Sequence, residues 1–355
     1  MPPVIDVHIH IAATRQPGCK VSEKLRREPA FAYMVFADRI RHAGVRRDFD
    51  GAVRDHIVGT LEGAASVDRG VLLALDAVYD EGGRRIEEAS HLVVSNEYVA
   101  ALARTHPKVL LGASVHPNRG PSAGREELRR AIGGDPPAAL VKWLPNAQLI
   151  DPADPRHDWF YEALAGAGVP LLCHTGPENT LPVLAPADQH QRLGDPRRLR
   201  RALDIGVTVI AAHAGMRLLP FQDDFLPDLA AMMREAERNG RWRLYADLAA
   251  MCLPCRIGTA RRVLESIPPE RMVLGSDYPV PVAHMPPVLM PSLAPDEYLA
   301  LLAVRNPIER NYRQLLAMGF SPTIGTRAAE VIPAAALARS RTGPGAGEAE
   351  ASAGP

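Results

Sequence analysis

Eight short, strongly apolar runs rich in β-branched residues alternate along this chain with longer segments of helical pattern. That alternation constrains the fold more than any other feature. The runs read as strands over 4–10, 70–76, 109–117, 139–145, 170–176, 207–215, 244–251 and 272–279. From the third onward they begin about 33 residues apart, the size of a βαβ unit. Nearly continuous apolar strands, covered on both faces, belong to parallel sheets. Eight βα repeats in one chain favour a (β/α)₈ TIM barrel of the α/β class over a doubly wound sheet.

Helix signals fill the gaps. Pro155 opens and Gly168 closes a helix over 159–168, and Asp195-Pro196 starts another over 197–206. The first connection, 11–69, is about twice the usual length. It carries a polar loop (14–27) and helical stretches over 31–41 and 50–64, and an insertion after strand 1 lies at the C-terminal face of a barrel, where a lid would sit. The last expected helix spans 306–318. Residues 1–333 therefore read as one barrel domain, and 334–355 as a disordered low-complexity tail poor in bulky apolar residues.

Composition excludes several function classes. Of 355 residues, 46% are hydrophobic and 23% charged, the proportions of an ordinary globular chain rather than of a coiled coil or a disordered one. Forty-one basic residues balance 41 acidic ones without a block of like charge, which argues against nucleic acid or anionic membrane as a partner. No apolar run of about 18 residues and no signal-like N-terminus occur, so a cytoplasmic protein acting on a small molecule is expected, with homo-oligomerisation left open. Four cysteines are too few for a disulfide scaffold, and Cys252-Leu-Pro-Cys255 reads as incidental thiols. No Gly-rich phosphate loop precedes a helix, so a nucleotide cofactor is not indicated.

The polar residues at the strand ends carry the functional signal. Strand 1 ends His8-Ile9-His10, strand 4 carries Lys142, strand 5 ends in His174, strand 6 in His213 and strand 8 in Asp277. Side chains alternate along a strand, so His8 and His10 share a face. Four histidines, a lysine and an aspartate from five strands then converge on one rim. Imidazole and carboxylate are ligands for zinc and similar divalent ions, and a bound metal relieves the cost of burying these groups. Alone, each has a plainer reading: a lone strand histidine is usually a satisfied core residue, and His-x-His is a weak motif. His106, His157, His190 and His284 fall in loops or helix starts and read as solvated. Lys142 is one of only four lysines, and it sits mid-strand between Val141 and Trp143, so a snorkelling role is disfavoured.

With Asp6-Val7-His8-Ile9-His10, Val141-Lys142-Trp143-Leu144-Pro145, Cys173-His174-Thr175-Gly176, Ala212-His213-Ala214-Gly215 and Gly275-Ser276-Asp277-Tyr278-Pro279 in this order, the chain resembles the amidohydrolase superfamily over about residues 4–318. Within it, the chain is similar to the amidohydrolase-related branch that includes aminocarboxymuconate-semialdehyde decarboxylase-like proteins. The resemblance implies a mono- or binuclear divalent-metal site, and His/Asp donors accept zinc first, with manganese or iron as alternatives. By position it makes His8, His10, His174 and Asp277 metal ligands. His213 becomes either a ligand to a second metal or a base and polarising group. Lys142 is either carboxylated, its carbamate bridging two metals, or a cation that contacts substrate.

Metal-dependent hydrolysis of an amide, ester or lactone is the leading expectation, with Asp277 relaying the proton of the attacking water and His213 stabilising the oxyanion. A non-oxidative decarboxylase of a small aromatic or muconate-type acid, using a similar metal set, is the closest alternative, and a non-catalytic binding barrel a third. His116 and Arg119, at the end of strand 3, are candidates for substrate contact, and so is Glu178 after strand 5, which could instead steady a ligating histidine. Asp76 and Asp247 end strands 2 and 7 and could equally cap the helices that follow.

Overall fold

The computed structural model describes residues 2–37, 42–256 and 258–338. Eight parallel strands follow one another in chain order around a single sheet: β1 Ile5–His10, β2 Arg69–Leu73, β3 Val109–Ala113, β4 Leu140–Trp143, β5 Leu171–His174, β6 Val209–Ala212, β7 Leu244–Asp247 and β8 Met272–Val273. Beyond β8 the chain returns to β1. Val7 N donates to Leu274 O at 2.9 Å, Asp277 N to His8 O at 2.9 Å, and His10 N to Tyr278 O at 2.7 Å. This is the TIM barrel that the strand spacing predicts. Each strand is shorter than its apolar run, because the run's last residues turn into the βα loops that build the rim.

Val7, Val71, Leu110, Leu140, Leu172, Ile210 and Val273, one from each of seven strands, meet in a single cluster that fills the barrel interior. On β4 and β5, two-residue alternation carries the inward face from Leu140 to Lys142 and from Leu172 to His174. β1 needs more than alternation. Asp6 pairs with Gly70 but Ile9 pairs with Leu72, so three steps on β1 match two on β2, a β-bulge. Val7 packs in the interior cluster while Ile9 packs outward among the helices. The extra residue switches the facing of the strand and turns His8 and His10 inward.

The insertion after β1 holds helices Glu23–Arg26, Pro29–Ala37, His42–Arg47 and Phe49–Glu62, and its strand Lys20–Val21 pairs with Leu92–Val93 of the β2–β3 connection in a two-stranded ribbon. The helix expected over 31–41 begins at Pro29 and is described to Ala37; 38–41 lie outside the described residues. Asp48 caps the last of these helices through Gly51 N. Buried Asp50 accepts hydrogen bonds from Thr14 N, Thr14 Oγ1 and Arg15 N at 2.6–2.8 Å, tying the loop that leaves β1 to that helix.

The C-terminal region departs from the sequence reading. Past helix Pro307–Ala317, a further helix Thr323–Val331 closes the N-terminal end of the barrel, with Ala328 and Val331 in the interior cluster. Pro322 and Gly325 at its start disguise it as a turn in sequence. The stretch expected as a tail from 334 begins with a short helix, Ala334–Ala338, whose Ala336 is buried against the same cluster; 339–355 lie outside the described residues. No described helix is long and apolar enough to cross a membrane.

Candidate metal centre

Three donor atoms meet at the mouth of the barrel. His8 Nε2 lies 3.1 Å from His10 Nε2 and 3.2 Å from Asp277 Oδ1, and His10 Nε2 lies 3.1 Å from the same oxygen. These are separations that one ion with bonds of about 2.0–2.2 Å can span. The tautomer of His8 sharpens the point. Its Nδ1 donates to Asp247 Oδ2 at 2.7 Å, which leaves Nε2 as an acceptor with His10 Nε2, Lys142 Nζ and the Asp277 carboxylate gathered around it. A divalent ion between these acceptors, or the Lys142 ammonium 3.3 Å from Nε2, relieves their repulsion.

Asp247 is held for this task. Its Oδ1 accepts the backbone N–H groups of His213 at 2.7 Å and Ala249 at 3.1 Å, so only Oδ2 is left to His8. This is the carboxylate–histidine arrangement that fixes a ligand's tautomer and raises its basicity. Gly275 has no side chain beside the pair because a Cβ there would stand 3.2 Å from His8 Cβ and 3.3 Å from Asp247 Cγ.

His174 and His213 flank the cluster. Their rings are 4.7 Å apart, and the His213 ring is 5.2 Å from that of His8. His174 Nε2 is buried with no partner among the described residues, 3.7 Å from Glu178 Oε2. An orphaned imidazole nitrogen beside a three-donor cluster fits a fourth ligand. Alternation from Ile210 and Ala212 would turn His213 away from the interior; its φ of 60° breaks the alternation. Asp277 also lies in the left-handed region, at φ 65°. His213 Nδ1 faces the Ala249 carbonyl at 3.3 Å, so it carries the proton, and Nε2 is an acceptor.

Electrostatics suits metal ligation. Burial, with Lys142 beside them, holds His8 and His174 well below the usual imidazole range; burial and the neighbouring His174 and His8 do the same to His213. All three are neutral donors at pH 7. Burial alone would raise the Asp277 carboxyl, but His8, His10 and Lys142 hold it below the ordinary carboxylate range. Lys142 is 1% exposed, with Nζ 3.3 Å from His8 Nε2. Burial lowers its pKa against the pull of Asp247 and Asp277.

Six residues expected at the rim are thus brought together: His8, His10, Lys142, His174, His213 and Asp277. Glu178 joins the cavity wall, its backbone clamped by Gln191 and its Oε1 accepting Thr180 N and Leu181 N. Burial raises its carboxyl. His116 and Arg119 do not line this cavity. His116 is fully buried, Nε2 donating to Gln148 O at 2.9 Å and Nδ1 accepting Asn118 N at 3.1 Å, so both ring nitrogens are used structurally. Arg119 lies 3.4 Å from Asp76 and over the Tyr79 ring in a separate surface cavity. Asp76 spends its carboxylate on Ala77 N and His116 N, and Asp247 orients His8 rather than capping a helix. His157 and His190 are buried, not solvated. Arg256, which the sequence reading missed, also lines the cavity, from a turn over Pro254–Arg256 after β7. Nothing in its local sequence marks it.

The cavity above the cluster measures about 180 Å³. The Amidohydro_2 family, described as amidohydrolase, matches residues 5–309. No curated protein matches the chain. Among solved structures, it is similar to a probable 2-pyrone-4,6-dicarboxylic acid hydrolase from Acinetobacter baumannii with citric acid bound (12% identity, 92% of this chain and 95% of that one, TM-score 0.53). It is also similar to the 5-carboxyvanillate decarboxylase of Sphingomonas paucimobilis (13%, 93% and 99%, 0.53) and to a putative amidohydrolase from Staphylococcus aureus (13%, 93% and 99%, 0.50). At such identities these likenesses bear on the fold alone. The match across 5–309 shows that the chain belongs to the amidohydrolase family.

Proposed function

We propose that this protein is a metal-dependent hydrolase that cleaves an amide, ester or lactone bond of a small substrate at the mouth of the barrel. His8, His10 and Asp277 hold one divalent ion, with His174 as the fourth ligand; zinc suits this donor set first, manganese or iron next. When bound, such an ion polarises a carbonyl and makes water more acidic. The observation that carries the reading is the triangle of His8 Nε2, His10 Nε2 and Asp277 Oδ1, three ligand atoms 3.1–3.2 Å from one another.

The remaining roles follow from proton positions. His213, protonated at Nδ1 by its contact with Ala249 O, offers Nε2 to take a proton from the attacking water and return it to the leaving group. Asp277 is the alternative for that relay, but its carboxylate oxygen Oδ1 is already committed to the His8–His10 triangle. Lys142 supplies positive charge beside the cluster, which favours negative charge developing on the substrate's oxygen. Glu178 stands in the wall within reach of a polar substituent.

One observation favours a second reading, non-oxidative decarboxylation: Phe31, Met34, Phe49, Val53 and Ile57 make much of the wall apolar. A carboxylate pressed against such a wall loses solvation that neutral carbon dioxide does not need. Zinc-loaded protein offered lactones, esters and aromatic acids separates the two. Hydrolysis releases acid without carbon dioxide and depends on His213. Carbon dioxide release with no acid from any ester or lactone would replace the hydrolase reading with the decarboxylase one.

A further inference from the structure

The cavity wall mixes two chemistries. Barrel residues His10, Lys142, His174, His213 and Asp277 line it together with Phe31, Phe49, Val53 and Ile57 of the insertion. Arg256 lines the same cavity. Its side chain is 5% exposed, Nη1 donates to the Ala249 carbonyl at 3.3 Å, and Nε has no partner among the described residues. The two carboxylates whose charge reaches it, Asp277 and Asp247, are committed to the cluster and to His8. A guanidinium withdrawn from water without an anion of its own is unfavourable, and its fork geometry suits a carboxylate. Among the described residues, Lys142 and Arg256 are the two cationic side chains of this wall besides histidine, and Lys142 Nζ already faces His8 Nε2.

From this we infer that the substrate is an amphipathic monoanion, with one carboxylate bound by Arg256 and an apolar body against the insertion helices. The volume of about 180 Å³ suits a body near one ring, since an engineered apolar cavity of about 150 Å³ holds benzene. A second carboxylate on that body would meet a wall with no further cation among the described residues, so dianions are disfavoured. The inference rests on the barrel mouth being the substrate site, as proposed above, and not on which bond breaks there.

Calorimetry tests it with three probes: 3-phenylpropionate, its neutral amide 3-phenylpropanamide, and the dianion glutarate. Each is titrated into zinc-loaded and chelator-treated protein. The acid is expected to bind about tenfold or more tighter than either comparator in both forms. Arg256→Gln removes the preference for acid over amide and leaves the amide's affinity unchanged, whereas Arg256→Lys keeps part of it. Val53→Asn weakens acid and amide alike. Equal binding of acid and amide to the wild type overturns the inference without any variant. So does glutarate binding as tightly as the acid, or a preference that appears only with zinc present, which would assign the carboxylate to the ion. Failure of the parent reading looks different: probe binding as expected, with no ester or lactone hydrolysed, sinks the hydrolase and leaves the monoanion site standing. Ester or lactone hydrolysis by a protein that binds acid and amide equally well does the reverse.

Discussion

His8 and Asp247, from the first and seventh strands, form a fully buried pair with Nδ1 and Oδ2 2.7 Å apart. The pair dictates which nitrogen of His8 faces the cavity. Asp247→Asn tests it. The asparagine must use its one carbonyl oxygen for the His213 and Ala249 amides, so its NH₂ confronts His8 Nδ1–H and favours the wrong tautomer. Metal affinity, measured by competition with a chromogenic chelator, should fall about 10- to 100-fold. Unchanged affinity would mean that His8 is oriented by packing alone.

Lys142 decides the metal count. With Nζ 3.3 Å from His8 Nε2, it acts in this account as a cation beside a single-ion site. Lys142→Ala should keep one metal per chain and lose turnover about 100-fold or more, the scale of one lost charge-stabilising group. Two ions per chain in the wild type, falling to one in Lys142→Ala and depending on bicarbonate during expression, would instead establish the carbamate bridge.

His116 gives the protein an acid-sensitive step away from the cavity. Burial, opposed only in part by its bond to Gln148 O, pushes its pKa down to about 3 from 6.5. The unfolded chain binds a proton here below pH 6.5 and the folded chain does not. Its effect is therefore absent above that pH, and stability drops as pH falls from 6.5 toward 3, by about 1.4 kcal/mol per unit. Urea unfolding between pH 7 and 5 should show a shallower pH slope in His116→Gln than in the wild type. Equal slopes would show that His116 takes no part.

The barrel floor depends on the C-terminal helix. Ala328 is fully buried against the interior cluster, so Ala328→Asp should destabilise by about 3 kcal/mol or more, read as a lower Tm or loss of soluble protein. A Tm within a degree of wild type would detach this helix from the floor.

Much of the site was legible because a barrel converts strand-end position into convergence. His8, His10, His174, His213 and Asp277 announce themselves near the ends of apolar runs, and Lys142 as a rare lysine inside one. What hid was local geometry. The bulge between Asp6 and Ile9 and the left-handed φ of His213 turn side chains inward in ways that a two-residue period does not contain. Arg256 comes from a short turn in a chain where nearly all basic residues are arginines, so no contrast singles it out. His116 and Arg119 misled for the opposite reason: they end a strand on the right rim, but the loop after β3 turns them away from the cavity to Gln148 and Asp76. Helix Thr323–Val331 was lost to its own Pro322 and Gly325.

The central claim is that His8, His10 and Asp277 form one divalent-metal site. Metal content of purified protein, after zinc loading and exhaustive dialysis, tests it most directly in the wild type, His10→Ala and Asp277→Asn. The account expects about one ion per wild-type chain and about a tenth of that or less in each variant, with far-ultraviolet circular dichroism unchanged because these residues lie above the packed interior. Wild-type protein that retains no ion, or variants that retain as much as the wild type, would contradict it.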